Sequence, residues 1–271
     1  HTHKMFYTIC EVLMEDEVPG WDVAGVVEEI GEGTSRFRKG DKVWSYARKP
    51  VLQWGTYADF VVVREDHAAL MPSAYLFEEA AAVPMAALTA YQALFGVARL
   101  EKGATVLVHA AAGGVGHFAV QLAGHAGARV LGTAGSDNHA FVLELGADRA
   151  IDYREEDFRD AVRRLCPDGV DVVLDAVGGD TQVRSLEVLR PGGILVSIVS
   201  EPDADQAVEH GVRARFLFVE PHGEQLTILA REIDRGRLRA HVGKMFPLAE
   251  AARAHEESQV GHVRGKLVLT L

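Results

Sequence analysis

The stretch TVLVHAAAGGVGHFAV, residues 105–120, decides the fold class of this chain. Its first part, residues 105–110, is a short run of apolar and β-branched residues, which is typical of a buried parallel strand. An apolar segment that favours a helix begins at Phe118. Between the two lie the small residues Ala112, Gly113, Gly114, Val115 and Gly116. This order of strand, glycine turn and helix predicts a site where backbone N–H groups approach an anion.

Such a turn at a helix N-terminus is typical of dinucleotide-binding proteins, where it contacts the pyrophosphate. The spacing differs from the common G-x-G-x-x-G pattern, so the local context carries the prediction. The alternative is a tight strand-to-helix turn whose glycines only relieve backbone strain. We expect residues 112–116 to contact the pyrophosphate of a nicotinamide dinucleotide.

Strand-like and helix-like segments alternate from residue 105 onward, which indicates a doubly wound α/β fold with a parallel sheet. The predicted strands cover residues 129–132, 150–153, 170–175, 193–199 and 213–219. The predicted helices cover residues 118–125, 138–145, 157–165, 181–189 and 224–234. The tail adds a strand at residues 239–242, a helix at residues 248–257 and a last strand at residues 266–271.

The first third of the chain is predicted to be β-rich, because short β-branched runs alternate with glycine turns. These runs cover residues 23–29, 42–46 and 57–63. An alanine-rich stretch follows at residues 78–94 and is interrupted by Pro84. Because proline cannot sit inside a regular helix, this stretch predicts two helices that meet at a bend.

Composition and charge exclude several classes of function. The chain has 271 residues, of which 48% are hydrophobic and 25% are charged, as in ordinary globular proteins. Its net charge of -11 argues against a nucleic-acid partner, which needs clustered lysine and arginine. The sequence contains two cysteines and no run of roughly 20 apolar residues, so we expect no disulfide framework, no membrane span and a cytoplasmic protein.

The end of the second predicted strand bears on the choice between NAD and NADP. No carboxylate stands at its tip, at Gly135 and Ser136, where an NAD-selective site would bind the ribose 2′-hydroxyl. The sequence therefore favours NADP, with Ser136, Asn138 and Tyr153 as hydrogen-bond donors to the 2′-phosphate, although Asp137 would oppose this anion. Alternatively, Ser136 or Asp137 simply caps the next helix.

Further motifs follow one another along nearly the whole chain. They are PGWDVAG (19–25), GDKV (40–43), GTYA (55–58), TAY (89–91), LGA (145–147), DAVG (175–178), RPGG (190–193) and GHVRGK (261–266). Together with the glycine turn, this series resembles the medium-chain dehydrogenase/reductase superfamily, specifically its zinc-independent quinone oxidoreductase and enoyl reductase branch.

The resemblance implies a GroES-like β-rich domain at residues 1–86 with 239–271, and a Rossmann domain with a doubly wound parallel sheet at residues 87–238. NADP(H) would bind in the cleft between them, and a homodimer is expected. Only residues 5–18 precede the Pro19-Gly20 pair, whereas relatives carry several further strands there. We therefore expect a GroES-like domain that is incomplete at its N-terminus, either naturally or because its first strands lie outside this sequence.

The resemblance also assigns roles to individual residues around the cofactor. It implies that Thr89 lies near the nicotinamide, that residues 112–116 contact the pyrophosphate, and that Ser136 and Tyr153 face the 2′-phosphate. The remaining cofactor residues it implies are Val199, Phe218, Val219, Arg264 and Lys266, the first three in the nicotinamide pocket and the last two in the tail. Relatives place a lysine for the 2′-phosphate near the end of the second strand, and the matching position here is near His139.

No metal is expected, because zinc-using relatives have His-Glu after the Pro-Gly pair, where this chain has Trp21-Asp22. No catalytic residue is assigned; Tyr46 and Tyr57 could donate a proton, or could simply pack with their hydroxyl groups at the rim of the β-rich domain. The leading hypothesis is hydride transfer from NADPH to a small-molecule quinone or activated alkene. The alternatives are a tailoring enzyme or cyclase without net redox turnover, and a non-enzymatic NADPH-binding protein.

Overall fold

A computed structural model describes residues 18–49 and 54–271 of the chain. The described residues divide into two compact units, the first formed by residues 18–49, 54–88 and 220–271 and the second by residues 89–219. The predicted domains differ from these units chiefly at residues 220–238, which pack on the first unit; the hydroxyl of Ser73, for example, donates to Asp234 over 3.0 Å. The expectation that the GroES-like domain is incomplete at its N-terminus concerns residues 5–17, which lie outside the described residues.

The strands of the described residues are β1 (Asp22–Val26), β2 (Lys42–Tyr46), β3 (Ala68–Leu70), β4 (Thr105–Val108), β5 (Arg129–Ala134), β6 (Arg149–Asp152), β7 (Val170–Asp175), β8 (Leu189–Ser197), β9 (Arg213–Phe216), β10 (Val242–Pro247) and β11 (Lys266–Thr270). The α-helices are α1 (Phe77–Ala81), α2 (Pro84–Tyr91), α3 (Gly116–His125), α4 (His139–Glu144), α5 (Phe158–Leu165), α6 (Gly179–Ser185), α7 (Ala204–Glu209), α8 (Gly223–Asp234) and α9 (Ala251–Val260).

The second unit is built on a parallel sheet whose described strands run in the order β6-β5-β4-β7-β8-β9. The chain moves outward from β4 to β6 and then returns to β7, on the other side of β4. This reversal is the point at which open parallel sheets bind ligands, just beyond the carboxyl ends of the strands. Leu107, Leu131 and Val173 are fully buried in the core of the sheet. The predicted doubly wound parallel sheet is therefore confirmed.

The first unit is rich in β-structure, as predicted. Strands β1, β2 and β3 form an antiparallel sheet, and β10 pairs with β11 in parallel. Phe246 and Leu267 contribute to a small core together with Ala254 of α9. Pro84 is the first residue of α2. At this position the backbone N–H that proline lacks would have no acceptor within the helix. The predicted bend between two helices is therefore confirmed.

Two local predictions are wrong, and one helix was not predicted. Residues 57–63, predicted as a strand, form no strand, because they pair with no described strand in a hydrogen-bonded ladder. The strand predicted at residues 239–242 lies instead at Val242–Pro247, where pairing with β11 selects a segment of weak β-propensity. Helix α7 was not predicted, although Asp203 caps its N-terminus.

Candidate cofactor site

The glycine turn after β4 is shaped by close backbone contacts. Ala110 has a positive φ of 51°, and its carbonyl accepts a hydrogen bond from the Gly113 N–H over 2.8 Å. A Cβ atom on Gly116 would overlap the Ala110 carbonyl oxygen and would lie 2.8 Å from the Cα of Ala111. Since all these atoms belong to the backbone, only glycine fits at the first residue of α3.

Four backbone N–H groups of this turn are left without an acceptor in the described part of the chain. They belong to Ala112, Gly114, Val115 and Gly116. Unpaired N–H groups at a helix N-terminus carry partial positive charge and attract anions. The turn therefore has the donors that a pyrophosphate requires, at the residues where the sequence predicted them.

A buried histidine holds the start of the turn. His109 lies between two hydroxyl groups, with Nδ1 3.1 Å from Thr133 Oγ1 and Nε2 2.9 Å from Ser185 Oγ. Ser185 donates its proton to the Thr181 carbonyl, so it accepts from Nε2–H of His109, while Thr133 donates to Nδ1. Burial lowers the pKa of His109 well below its ordinary value, although Asp175 acts in the opposite direction. The neutral imidazole thus joins β4, β5 and α6.

At the ends of β5 and β6, a carboxylate connects the residues predicted to face the 2′-phosphate. Asp152 accepts hydrogen bonds from the Ser136 N–H and the Arg154 N–H, both over 2.9 Å. These bonds, led by the one from Arg154, lower the pKa of Asp152. Tyr153, between them, is 50% exposed. Asp152 therefore joins the loop that contains Ser136 to the loop that contains Tyr153, and the roles of these two residues at a 2′-phosphate stay predictions.

A second buried carboxylate organises the ends of β7 and β8. Asp175 is fully buried and accepts hydrogen bonds from the N–H groups of Val177 and Gly178, over 3.0 and 2.8 Å. Its other oxygen accepts from the Ser197 hydroxyl over 2.8 Å and from the Gln182 amide over 3.1 Å. The sequence contained Asp175 within a family motif but gave no role to its side chain.

The residues predicted for the nicotinamide end lie at the same edge of the sheet, with one exception. Val199 follows β8, while Phe218 and Val219 follow β9. Thr89 is buried in α2. A Cβ atom on Gly178 would be 3.1 Å from Val199 Cγ1, so the loops after β7 and β8 are packed together. The roles of these residues at the nicotinamide stay predictions.

Arg264 and Lys266 belong to the first unit. Lys266 is 1% exposed, and its Nζ lies 3.8 Å from Asp22 Oδ2. The other Asp22 oxygen accepts from the Met85 N–H over 2.7 Å. Burial raises the pKa of Asp22 to about 6, against the opposing effects of Lys266 and the Met85 N–H. The Lys266 ammonium thus faces a buried carboxylate of its own unit, and its predicted approach to the cofactor stays a prediction, as does that of the half-buried Arg264.

Neither tyrosine considered as an acid is a free hydroxyl at a rim. Tyr46 is buried, contrary to the rim interpretation, and burial raises its pKa. The Tyr57 hydroxyl lies 3.1 Å from Nε2 of His255 on α9. Across residues 18–49 and 54–271, no three His, Cys, Asp or Glu side chains form a group that could hold a metal ion. None of the helices in these ranges has both the length and the apolar character needed to cross a bilayer.

Comparisons with known proteins agree with this architecture. Residues 4–73 match the family model described as the alcohol dehydrogenase GroES-like domain, and residues 145–269 match the one described as zinc-binding dehydrogenase. Quinone oxidoreductase of Rattus norvegicus is 34% identical over 260 residues, which cover 92% of this chain and 77% of the rat protein.

Solved structures give the same result. The quinone oxidoreductase from Coxiella burnetii is 38% identical, with a TM-score of 0.86 over 94% of this chain and 80% of its own. The Escherichia coli quinone oxidoreductase complexed with NADPH is 30% identical, with a TM-score of 0.85 over 97% of this chain and 85% of its own. These matches confirm the GroES-like and Rossmann architecture. The chain belongs to the quinone oxidoreductases of the medium-chain dehydrogenase/reductase family.

Proposed function

We propose that this protein is an NADPH-dependent reductase that transfers hydride to a quinone or to an activated alkene, such as an enone or enoyl substrate. The observation that carries the proposal is the row of four N–H groups at the start of α3, each without an acceptor among the described residues. The NADPH complex of the related Escherichia coli enzyme supports the choice of cofactor.

The residues of the second unit fit this cofactor. The turn at residues 112–116 offers donors to the pyrophosphate, and a side chain on Gly116 would clash with the backbone of Ala110 and Ala111 that shapes this turn. Ser136 and Tyr153 offer hydroxyl groups at the ends of β5 and β6, beside the place where the 2′-substituent of the ribose binds in Rossmann folds. When bound, NADPH supplies the hydride and leaves as NADP⁺, and a proton from water completes the reduced product. The protein's own contribution is to bind and orient the two reactants.

We also propose that the reaction needs no zinc. The side chains after the Pro19-Gly20 pair support this: Trp21 cannot ligate zinc, and Asp22 is buried next to Lys266 and the Met85 N–H. Treatment with a chelator should leave turnover unchanged, and a loss of activity that added Zn²⁺ restores would contradict this part of the proposal.

The proposal is tested by following NADPH absorbance with the purified protein and a panel of quinones and 2-enals. We expect oxidation that requires an acceptor and that is at least tenfold slower with NADH at equal concentration, if one charge-assisted contact to the 2′-phosphate is formed. The Gly116→Ala variant is the matched control, because it shifts the backbone of the turn while leaving every polar side chain in place. Tight NADPH binding without oxidation of any acceptor would overturn the reductase and favour a cyclase-like or purely cofactor-binding protein.

A further inference from the structure

Arg154 occupies the place where a Rossmann domain recognises the 2′-position of the cofactor ribose. It follows β6, and its guanidinium covers Gly135, just beyond the end of β5. A Cβ atom on Gly135 would be 3.2 Å from Cζ, 3.3 Å from Nη1 and 3.5 Å from Nε of Arg154. Because these three distances are nearly equal, the flat face of the guanidinium is turned toward Gly135. Its N–H groups, which lie in the plane of the guanidinium, are consequently not directed at Gly135.

The backbone holds Arg154 at this position. Its N–H donates to Asp152, which also accepts from the Ser136 N–H at the end of β5. One buried carboxylate therefore links the two loops that contain Ser136 and Arg154. With one oxygen accepting from each loop, Asp152 is engaged by the protein itself. Arg154, rather than a carboxylate, is thus the charged side chain presented beside Gly135.

Arg154 opens onto a cleft of about 580 Å³ in the second unit. The charged residues that line this cleft are Arg154, Glu155, Glu156, Asp157 and Arg184. Arg184 is paired with Asp157 over 2.6 Å and with Asp180 over 3.2 Å, and Glu156 is paired with Arg164.

Arg154 differs from these neighbours. It has no ion pair with any described residue, and its guanidinium carbon lies 5.5 Å from the centre of the Tyr153 ring. Glu155 is the acidic neighbour in the chain, and no ion pair joins it to Arg154 in the described residues. Arg154 is therefore a cation of this cleft whose N–H groups are left for a ligand.

We propose that Arg154 selects NADPH over NADH by binding the 2′-phosphate. This inference rests on the proposed function and adds the cation that the sequence did not identify near His139, whose Nε2 is engaged with the Ala134 carbonyl over 3.1 Å. The planar fork of arginine matches a phosphate, and such charge-assisted hydrogen bonds are stronger than neutral ones. Glycine at position 135 leaves the room that the guanidinium occupies.

Calorimetric titration with 2′,5′-ADP and 5′-AMP separates the phosphate from the rest of the nucleotide. We expect Arg154→Gln to weaken 2′,5′-ADP binding by about ten- to hundredfold, and 5′-AMP binding by less than about twofold. Arg154→Lys should fall between, because lysine keeps the charge but not the fork. Arg149→Gln is the matched control, since it removes the same charge from the opposite end of β6, where Arg149 donates to the Asp148 carbonyl.

A second variant tests the same contact without touching the arginine. Gly135 has φ -69° and ψ 154°, a conformation open to any residue, so Gly135→Ala leaves the backbone unstrained. Its added methyl group would lie 3.2 Å from Cζ, closer than an ordinary contact, so the Arg154 guanidinium must move by a few tenths of an ångström. We expect a severalfold loss for 2′,5′-ADP and no loss for 5′-AMP.

The outcomes separate the two proposals. An equal loss of both nucleotides in Arg154→Gln would overturn the inference, because Arg154 would then support the adenine or the fold. Unchanged binding of 2′,5′-ADP would overturn it as well, and wild-type protein that binds neither nucleotide would overturn both proposals. Arg154-dependent binding of 2′,5′-ADP without NADPH oxidation by any acceptor would support the inference and contradict only the proposed function.

Discussion

Gly116→Ala should damage both the stability and the cofactor site of the second unit. The added Cβ would overlap the Ala110 carbonyl oxygen and lie 2.8 Å from the Cα of Ala111, so the backbone of the turn must shift. Over-packing of this kind typically costs about 1–3 kcal/mol. The shift would also move the N–H groups that we assign to the pyrophosphate. We therefore expect a loss of stability in this range together with at least about tenfold weaker NADPH binding.

A second glycine of the same helix supplies the control. Gly124 lies inside α3, and a Cβ atom there would make only an ordinary contact of 3.5 Å with the Gly146 carbonyl. Because glycine weakens a helix interior, Gly124→Ala should stabilise the unit by about 0.5–1 kcal/mol and leave NADPH binding unchanged. The two substitutions add the same methyl group to one helix, and we expect the first to lower the stability of the second unit and the second to raise it.

The assay must report on the second unit. The three tryptophans, Trp21, Trp44 and Trp54, all belong to the first unit, so tryptophan fluorescence follows that unit alone. Urea unfolding followed by far-ultraviolet circular dichroism includes the second unit, whose transition should shift down in Gly116→Ala and up in Gly124→Ala. Equal stability of Gly116→Ala and wild type would refute the close packing described for the turn.

Three further predictions concern buried polar groups. The pKa of Asp22 is about 6 in the folded state and has its ordinary value in the unfolded state, so between these two pH values the folded state binds more protons. As pH falls from 7 to 4, the free energy of unfolding of the wild type should therefore rise by up to about 3 kcal/mol relative to that of Asp22→Asn. Urea unfolding followed by tryptophan fluorescence measures this difference. The lowered pKa of His109 has the opposite consequence: the stability of the second unit should decline as pH falls below about 6.5, and this decline should be smaller in His109→Gln. Ser197→Ala removes a hydrogen bond to the buried Asp175 and should cost about 1–3 kcal/mol in urea unfolding; a cost near zero would contradict the role given to Asp175 in joining β7 and β8.

The sequence predicted the elements whose local signals agree with their surroundings. The run at β7 is rich in valine and largely buried, the run at β2 buries its last three residues, and the predicted bounds of both match the structure. The glycine turn was found because a strand, small residues and a helix follow one another directly. Where pairing decides the outcome, as at residues 57–63 and at β10, local propensity was not enough, because a strand exists only with a neighbour.

The site was predicted in part, for a related reason. Glycines and hydroxyl residues carry a recognisable pattern, whereas Asp152 and Asp175 look in the sequence like ordinary residues at the ends of strands. Their roles depend on N–H groups from other loops, which only the fold brings within hydrogen-bond distance. Arg154 was missed because the sequence predicted the cation near the end of the second strand of the sheet, whereas the structure places it in the loop after the third, β6.

The central claim is that the second unit holds a dinucleotide site selective for NADPH, and a direct titration tests it. Wild-type protein is titrated with NADPH and with NADH, and the fluorescence of the reduced nicotinamide is followed. We predict saturable binding of NADPH, at least about tenfold tighter than that of NADH, with both weakened in Gly116→Ala. Equal affinity for the two nucleotides would contradict the selectivity, and no binding of either would contradict the site itself.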